Sequence, residues 1–125
     1  MSTPRDARLH LDKASEFLEA AEVNHDLGFY SAAASAAVTS GINSKDAMCL
    51  ATKGITGKSD SHSDAVIELR HSGPVGTAMA PTFNRLLGVK VRAQYQARAT
   101  TAKGSSDAVA WAARMCEAAR RVVAG

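Results

Sequence analysis

The chain has 125 residues, of which 46% are apolar and only 5% aromatic, and it carries a formal net charge of +3. This length suits a single domain, which we assign to residues 1–125, and the scarcity of aromatic residues favours closely packed helices over a sheet. Residues 1–6 include the charged Arg5 and Asp6 where a leader peptide would be apolar or free of acids, and no apolar run approaches the roughly 20 residues of a membrane helix, so we expect a cytoplasmic protein without membrane association.

Two long amphipathic helices are predicted in the first half of the chain. The first spans about Arg5 to Asn24, because apolar side chains recur there every three to four residues. The second spans about Phe29 to Thr52 and has an unusually small face, formed by Ala33, Ala34, Ala37 and Gly41. Small side chains let neighbouring backbones approach closely, so we interpret this face as a packing surface and not as a ligand groove.

The connection after the second predicted helix contains Gly54-Ile-Thr-Gly-Lys-Ser59, which superficially resembles a phosphate-binding loop. That loop needs four residues between its two glycines and a preceding strand. Here the glycines are closer together and a helix precedes them. We therefore do not expect this connection to bind phosphate.

Two further helices are predicted on either side of a turn at residues 72–74. Residues 61–64 have the Ser-x-x-Asp form of a helix cap, so a short third helix should begin near His62. A fourth helix, bent or restarted around Pro81, carries regularly spaced apolar residues towards Tyr95.

The last predicted helix spans about Ser106 to Val123, with Ser105, Ser106 and Asp107 as candidates for its N-terminal cap. Four long helices and a short one, joined by short connections, predict an all-α fold. The most economical arrangement is an up-and-down bundle whose core lies between neighbouring helices.

The two cysteines, Cys49 and Cys116, are predicted to be buried free thiols. They lie far apart in the sequence, and neither has a second cysteine or a histidine at the spacing of metal ligands. We expect no metal site and no cofactor.

Charge is distributed unevenly along the chain. Residues 81–125 hold eight Lys and Arg against two acids, whereas residues 1–80 hold seven against ten. Such asymmetry indicates either a basic face for a phosphate-bearing partner or two oppositely charged halves that pack together. The sequence leaves both interpretations open.

Four segments, in their order and spacing, resemble the HEPN family of higher-eukaryote and prokaryote nucleotide-binding domains. The segments are Phe29–Ala37, Lys58–Leu69, Arg92–Tyr95 and Ala108–Arg121. The resemblance implies a five-helix bundle that forms a homodimer. It also implies functions that range from RNA cleavage to partnership with a minimal nucleotidyltransferase in toxin–antitoxin systems.

The HEPN ribonuclease motif, Arg followed four to six residues later by His, is absent from the late part of the chain. One formal match, Arg5 with His10, lies in the first helix, where an offset of five residues turns the two side chains about 140° apart. His25 and His62 are expected at a helix end and a helix start, each isolated from other catalytic groups. We therefore expect a non-catalytic, dimeric binding or partner protein, with a ribonuclease or a purely structural dimerisation module as alternatives.

Four residues of the fourth helix are candidates for ligand binding. The resemblance covers Arg92 and Tyr95, which lie three residues apart and can present a cation and a phenol to one anionic group. Arg85 and Lys90 would extend a basic strip. The alternative is that Arg92 pairs with an acid of the first helix, that Tyr95 caps the bundle, and that Arg85 and Lys90 lie on a solvated face.

Overall fold

The computed structural model describes residues 4–57, 61–95 and 98–125, and the secondary structure of this part of the chain is entirely helical. Its helices are α1 (Pro4–Asp26), α2 (Tyr30–Lys53), α3 (His62–Arg70), α4 (Pro74–Tyr95) and α5 (Ala102–Ala124). Four long helices and one short helix confirm the predicted fold class. Within the described ranges, no helix has the length and apolar character needed to cross a membrane.

Helix α2 lies at the centre of the bundle and contacts all four other helices. Helix α4 contacts α3 and α5 as well, and α1 contacts α5. Among the described residues, α1 contacts neither α3 nor α4. This arrangement leaves an opening with α1 on one side, α3 and α4 on the other, and α2 at its floor.

The small face of α2 is buried, as predicted. Ala33, Ala34 and Ala37 are almost completely inaccessible to solvent. A Cβ atom on Gly41 would overlap the side chain of Leu86 on α4, which is itself fully buried. Gly41 therefore allows α2 and α4 to approach closely, although a glycine inside a helix costs about 1 kcal/mol relative to alanine.

The start of α3 is also confirmed, because the Ser61 side chain accepts a hydrogen bond from the backbone N–H of Asp64 at 3.3 Å. Helix α4 differs from the prediction. It already begins at Pro74, where the fixed φ of proline suits a first helical position, and it continues through Pro81 without a restart.

The predicted cap of α5 was wrong. The helix begins at Ala102, and Thr101 is its N-cap, with its hydroxyl oxygen accepting the backbone N–H of Gly104 at 3.0 Å. An N-cap needs a non-helical backbone, and Thr101 has it whereas Ser105 already lies inside the helix. The Ser105 hydroxyl is buried and bonds instead to Nδ1 of His25, at 2.8 Å. Ser106 and Asp107 follow inside the same helix.

Candidate functional site

The opening between α1 and the α3–α4 pair contains a cavity of about 360 Å³, here called the histidine cavity. Its polar side chains come from every surrounding element: His10 from α1, Lys45 and Asp46 from α2, Thr56 and Ser61 from the connection, His62 from α3 and Lys90 from α4. Its apolar lining comprises Ile42, Ala65, Phe83, Leu87 and Val91. Polar groups of four helices therefore converge on one concave, partly apolar surface, which is typical of ligand sites.

His10 is held in one orientation by an asparagine. Its Nδ1 lies 2.9 Å from Oδ1 of Asn43, and the Asn43 amide nitrogen donates in turn to the carbonyl of Thr39 at 3.0 Å. Because the second bond makes Oδ1 the acceptor, Nδ1 of His10 carries the proton. The Nε2 atom of the neutral ring therefore keeps its lone pair. A carboxylate oxygen of Asp46 lies 3.9 Å from Nδ1.

His62 has a similar arrangement at the same cavity. It is the first residue of α3, and its Nε2 lies 3.0 Å from Oδ1 of Asn84 on α4. Donation to this amide oxygen places the proton on Nε2 and leaves Nδ1 with the lone pair. His10 and His62 thus line the same cavity from two helices, α1 and α3, that do not contact each other.

The floor of the cavity contains a buried charged network centred on Lys45. Its ammonium donates to Glu68 of α3, to the Thr56 hydroxyl at 2.9 Å and to Asp46 at 3.3 Å. The Thr56 hydroxyl lies 2.5 Å from Asp46. Burial by itself would lower the pKa of Lys45, but the hydrogen bond to Glu68 and the charge of Asp46 raise it above its ordinary value.

Glu68 connects this network to the α2–α3 connection. Both of its oxygens accept the backbone N–H of Gly57, at 2.7 and 2.9 Å. Burial raises the pKa of Glu68, but the hydrogen bonds from Lys45 and Gly57 more than compensate, so its pKa lies below the usual range. This amide belongs to the fragment 54–59 that superficially resembles a phosphate-binding loop, and the Glu68 carboxylate already occupies it. At the start of the fragment, Gly54 ends α2 in the left-handed conformation. Residues 58–59 lie outside the described part of the chain.

The predicted site residues are distributed over three places. His10 and Lys90 line the histidine cavity. Arg92 lines a different cavity, between α4 and α5. Arg5 and Arg85 are exposed and line neither of these cavities, and the side chain of Tyr95 lies outside the described part of the chain.

Several residues of the cavity were missed from the sequence. His62 was interpreted as an isolated helix-start residue, and Lys45, Asp46, Thr56 and Glu68 were not singled out. One signal was available, because Lys45 and Asp46 are the only charged residues between positions 30 and 52. An ion pair inside such an uncharged helix indicates a buried polar site.

The histidine cavity has no arrangement typical of a metal centre. Within residues 4–57, 61–95 and 98–125, no three or more His, Cys, Asp or Glu side chains are grouped so that they could hold a metal ion. Comparison with protein family models and with curated proteins finds no match to this chain.

Proposed function

We propose that the protein is a HEPN-like, dimeric binding protein whose histidine cavity takes a nucleotide. The observation that carries this proposal is the convergence of His10, His62 and Lys90 on one cavity, from three different helices. The Lys90 ammonium supplies charge-assisted hydrogen bonds to phosphate oxygens, and His10 and His62 would do so through their second ring nitrogens in the imidazolium form. The apolar wall with Leu87 and Val91 offers a surface for a base or a sugar.

The dimensions of the cavity support the same proposal. Small-molecule sites commonly have volumes of roughly 300–1,000 Å³, and this cavity has about 360 Å³. That volume suits a mononucleotide better than a larger cofactor. Of the two carboxylates that Lys45 contacts, only that of Asp46 lines the cavity, and the Lys45 ammonium hydrogen-bonds to it.

Isothermal titration calorimetry with adenosine monophosphate tests the proposal. Loss of one charge-assisted contact costs about 1.5–3 kcal/mol, so Lys90→Ala should weaken binding at the histidine cavity at least about tenfold. Arg85→Ala is the matched control, because Arg85 lies on the same helix and is exposed but does not line the cavity. If adenosine monophosphate does not bind the unmodified protein, the nucleotide proposal fails and a structural dimerisation module is favoured.

The dimer and the partner protein belong to the same proposal, and the HEPN resemblance supports them. Light scattering after size-exclusion chromatography should give twice the mass of one chain. A minimal nucleotidyltransferase should co-purify with the protein when the two are co-expressed. A monomer at micromolar concentration would remove the dimer from the proposal and leave nucleotide binding to be judged separately.

A ribonuclease is the second candidate function, and the two asparagine-oriented histidines support it. In metal-independent RNA cleavage the ribose 2′-hydroxyl attacks the adjacent phosphorus and the 5′-oxygen leaves. One neutral imidazole takes the hydroxyl proton, and a second, protonated imidazole gives a proton to the leaving oxygen. His10 and His62 line the same cavity from different helices, so one histidine would act at each oxygen.

Cleavage of a fluorescent oligoribonucleotide in the presence of EDTA tests the enzyme candidate. His10→Ala and His62→Ala should each abolish cleavage, whereas Arg85→Ala should retain it. Asn43→Ala should reduce the rate while leaving some activity, because it removes only the group that orients His10. Equal cleavage by the unmodified protein and both histidine variants would exclude this site as a ribonuclease.

A further inference from the structure

A second cavity, of about 300 Å³, lies between the last turns of α4 and the start of α5. It is here called the arginine cavity, and its side chains include Arg92, Arg98, Thr101, Asp107 and Trp111. It shares no lining residue with the histidine cavity. Any ligand that it takes therefore occupies a different place from the nucleotide proposed above.

We propose that the arginine cavity is a second ligand site, which takes a phosphomonoester with its phosphate between Arg92 and Arg98. Guanidinium groups bind phosphate oxygens through paired, charge-assisted hydrogen bonds, and two of them line the same cavity. The ring system of Trp111, partly buried in the same wall, offers a surface for a planar or apolar group attached to the phosphate.

The charge balance of the cavity favours an anion. Its lining contains one carboxylate, that of Asp107, which forms an ion pair at 2.9 Å with Lys103 one turn earlier in α5. Arg92 and Arg98 form no ion pair within the part of the chain that the structure describes. Both guanidiniums are solvent-exposed and keep their donors available to a ligand.

The surroundings of Arg92 also argue against the alternative considered from the sequence, in which Arg92 pairs with an acid of the first helix. Among the described residues, Arg92 forms no ion pair with an acid of α1, and the described parts of α1 and α4 do not contact each other. The first turn of α5, with Thr101 as its cap, lies against the cavity instead. The N-terminus of α5 attracts an anion modestly, in addition to the attraction by the two arginines.

Trp111 provides a direct probe, because it is the only tryptophan in the chain. Titration with adenosine monophosphate at low salt should change its fluorescence saturably. Inorganic phosphate should act in the same concentration range if the phosphate dominates, and at higher concentration if the base also contacts Trp111. Adenosine, which lacks the phosphate, should have no saturable effect.

Variants separate this site from the histidine cavity. Arg92→Ala and Arg98→Ala should each raise the midpoint of the fluorescence titration about tenfold or more. Arg85→Ala, at an exposed position of the same helix that lines neither cavity, should leave it unchanged. Trp111→Phe should lose the signal but retain binding in equilibrium dialysis.

Two results would overturn the proposal. One is the absence of a saturable response to millimolar phosphate or adenosine monophosphate. The other is an equal loss in Arg85→Ala and Arg92→Ala, because that would indicate diffuse attraction by net charge in place of a built site. Neither result depends on whether the histidine cavity binds its own ligand.

Discussion

Lys45 is the residue on which the floor of the histidine cavity depends. Its side chain is 4% exposed and hydrogen-bonds to two carboxylates and a hydroxyl. The charged form is therefore stabilised by these partners and not by solvent. Removing one member of such a network leaves a buried charge without compensation, which costs more than the network itself contributes. The network also determines where the α2–α3 connection lies, since Glu68 binds the Gly57 amide.

The first prediction concerns the contribution of Glu68 to the pH dependence of the free energy of unfolding. Its pKa is lowered by folding, so its contribution is present above the ordinary value of 4.5 and is lost as the pH falls through the lower, folded pKa. Glu68→Gln should therefore reduce the free energy of unfolding at pH 7 by about 2 kcal/mol. This difference from the unmodified protein should shrink in acid, as measured by urea denaturation.

Glu19→Gln, at an exposed position of α1, serves as the control and should change the stability little at either pH. A deficit of Glu68→Gln that stayed constant down to pH 2 would contradict the assignment of the network. At the alkaline end, Lys45 has a pKa raised above 10.5, so its contribution should persist until the pH exceeds that value.

The second prediction concerns the buried thiols. Burial raises the pKa of Cys49 to about 11, although the nearby Lys45 ammonium opposes the shift, and burial also raises the pKa of Cys116. At pH 8 only about one Cys49 thiol in a thousand would be ionised, and the thiolate is the reactive form. Folded protein should react slowly with a thiol reagent, whereas unfolded protein should react at both cysteines within minutes. Rapid labelling of the folded protein would show that one of them is accessible.

At the scale of the element, α4 has different packing partners along its length. Its first turns pack against α3, its middle contributes Phe83 and Leu86 to the core, and its last turns line both cavities. Two glycines lie within it in unlike surroundings. Gly76 is buried at the turn from α3, and Gly88 is only partly covered near the cavities.

The third prediction uses these glycines as a matched pair. A Cβ at position 76 would collide with the backbone carbonyl oxygen of Leu69 and the hydroxyl of Ser72, and neither belongs to a long, flexible side chain. Gly76→Ala should therefore destabilise the protein by about 1–3 kcal/mol. At position 88 the nearest atom is 3.6 Å away, at the end of the Arg92 side chain, so Gly88→Ala should stabilise it by up to about 1 kcal/mol.

Thermal and urea denaturation of the two variants would measure both effects. Stabilisation by Gly76→Ala would mean that α3 and α4 are farther apart than described. Destabilisation by Gly88→Ala would mean that the surface near the arginine cavity is more tightly packed than the distance indicates.

At the scale of the whole molecule, the ion pairs found within residues 4–57, 61–95 and 98–125 each lie inside one half of the chain. The ion pairs of Lys45 with Asp46 and Glu68 lie within residues 1–80, and those of Lys103 with Asp107 and of Arg120 with Glu117 lie within residues 81–125. These pairs do not hold the halves together. The halves are joined instead by apolar packing in one core cluster, to which all five helices contribute.

The fourth prediction follows from that common core. A single cluster shared by all the helices should unfold in one cooperative transition. Circular dichroism at 222 nm and Trp111 fluorescence should therefore give the same midpoint in urea. Two separate midpoints would show that α5, which carries Trp111, unfolds independently of the rest of the bundle.

The sequence by itself determined the helices, their approximate limits, the small face of α2 and the burial of the two cysteines. These features depend on local rules, namely the spacing of apolar side chains, the conformational limits of proline and glycine, and the tendency of small or sulfur-containing side chains to be buried. These rules did not predict the N-cap of α5, because several neighbouring Ser and Thr hydroxyl groups are all suitable N-cap acceptors. The buried partner of Ser105 is His25, eighty residues away in the sequence.

Only the tertiary structure decided where the candidate sites lie. His10 and His62 share a cavity because α1 does not contact α3 or α4, and the periodicity of a helix does not specify which of its neighbours it leaves uncovered. For the same reason Lys90 and Arg92, two residues apart, line different cavities. Local sequence patterns specify which faces of a helix are apolar, whereas a binding site depends on the gaps that remain once those faces are packed.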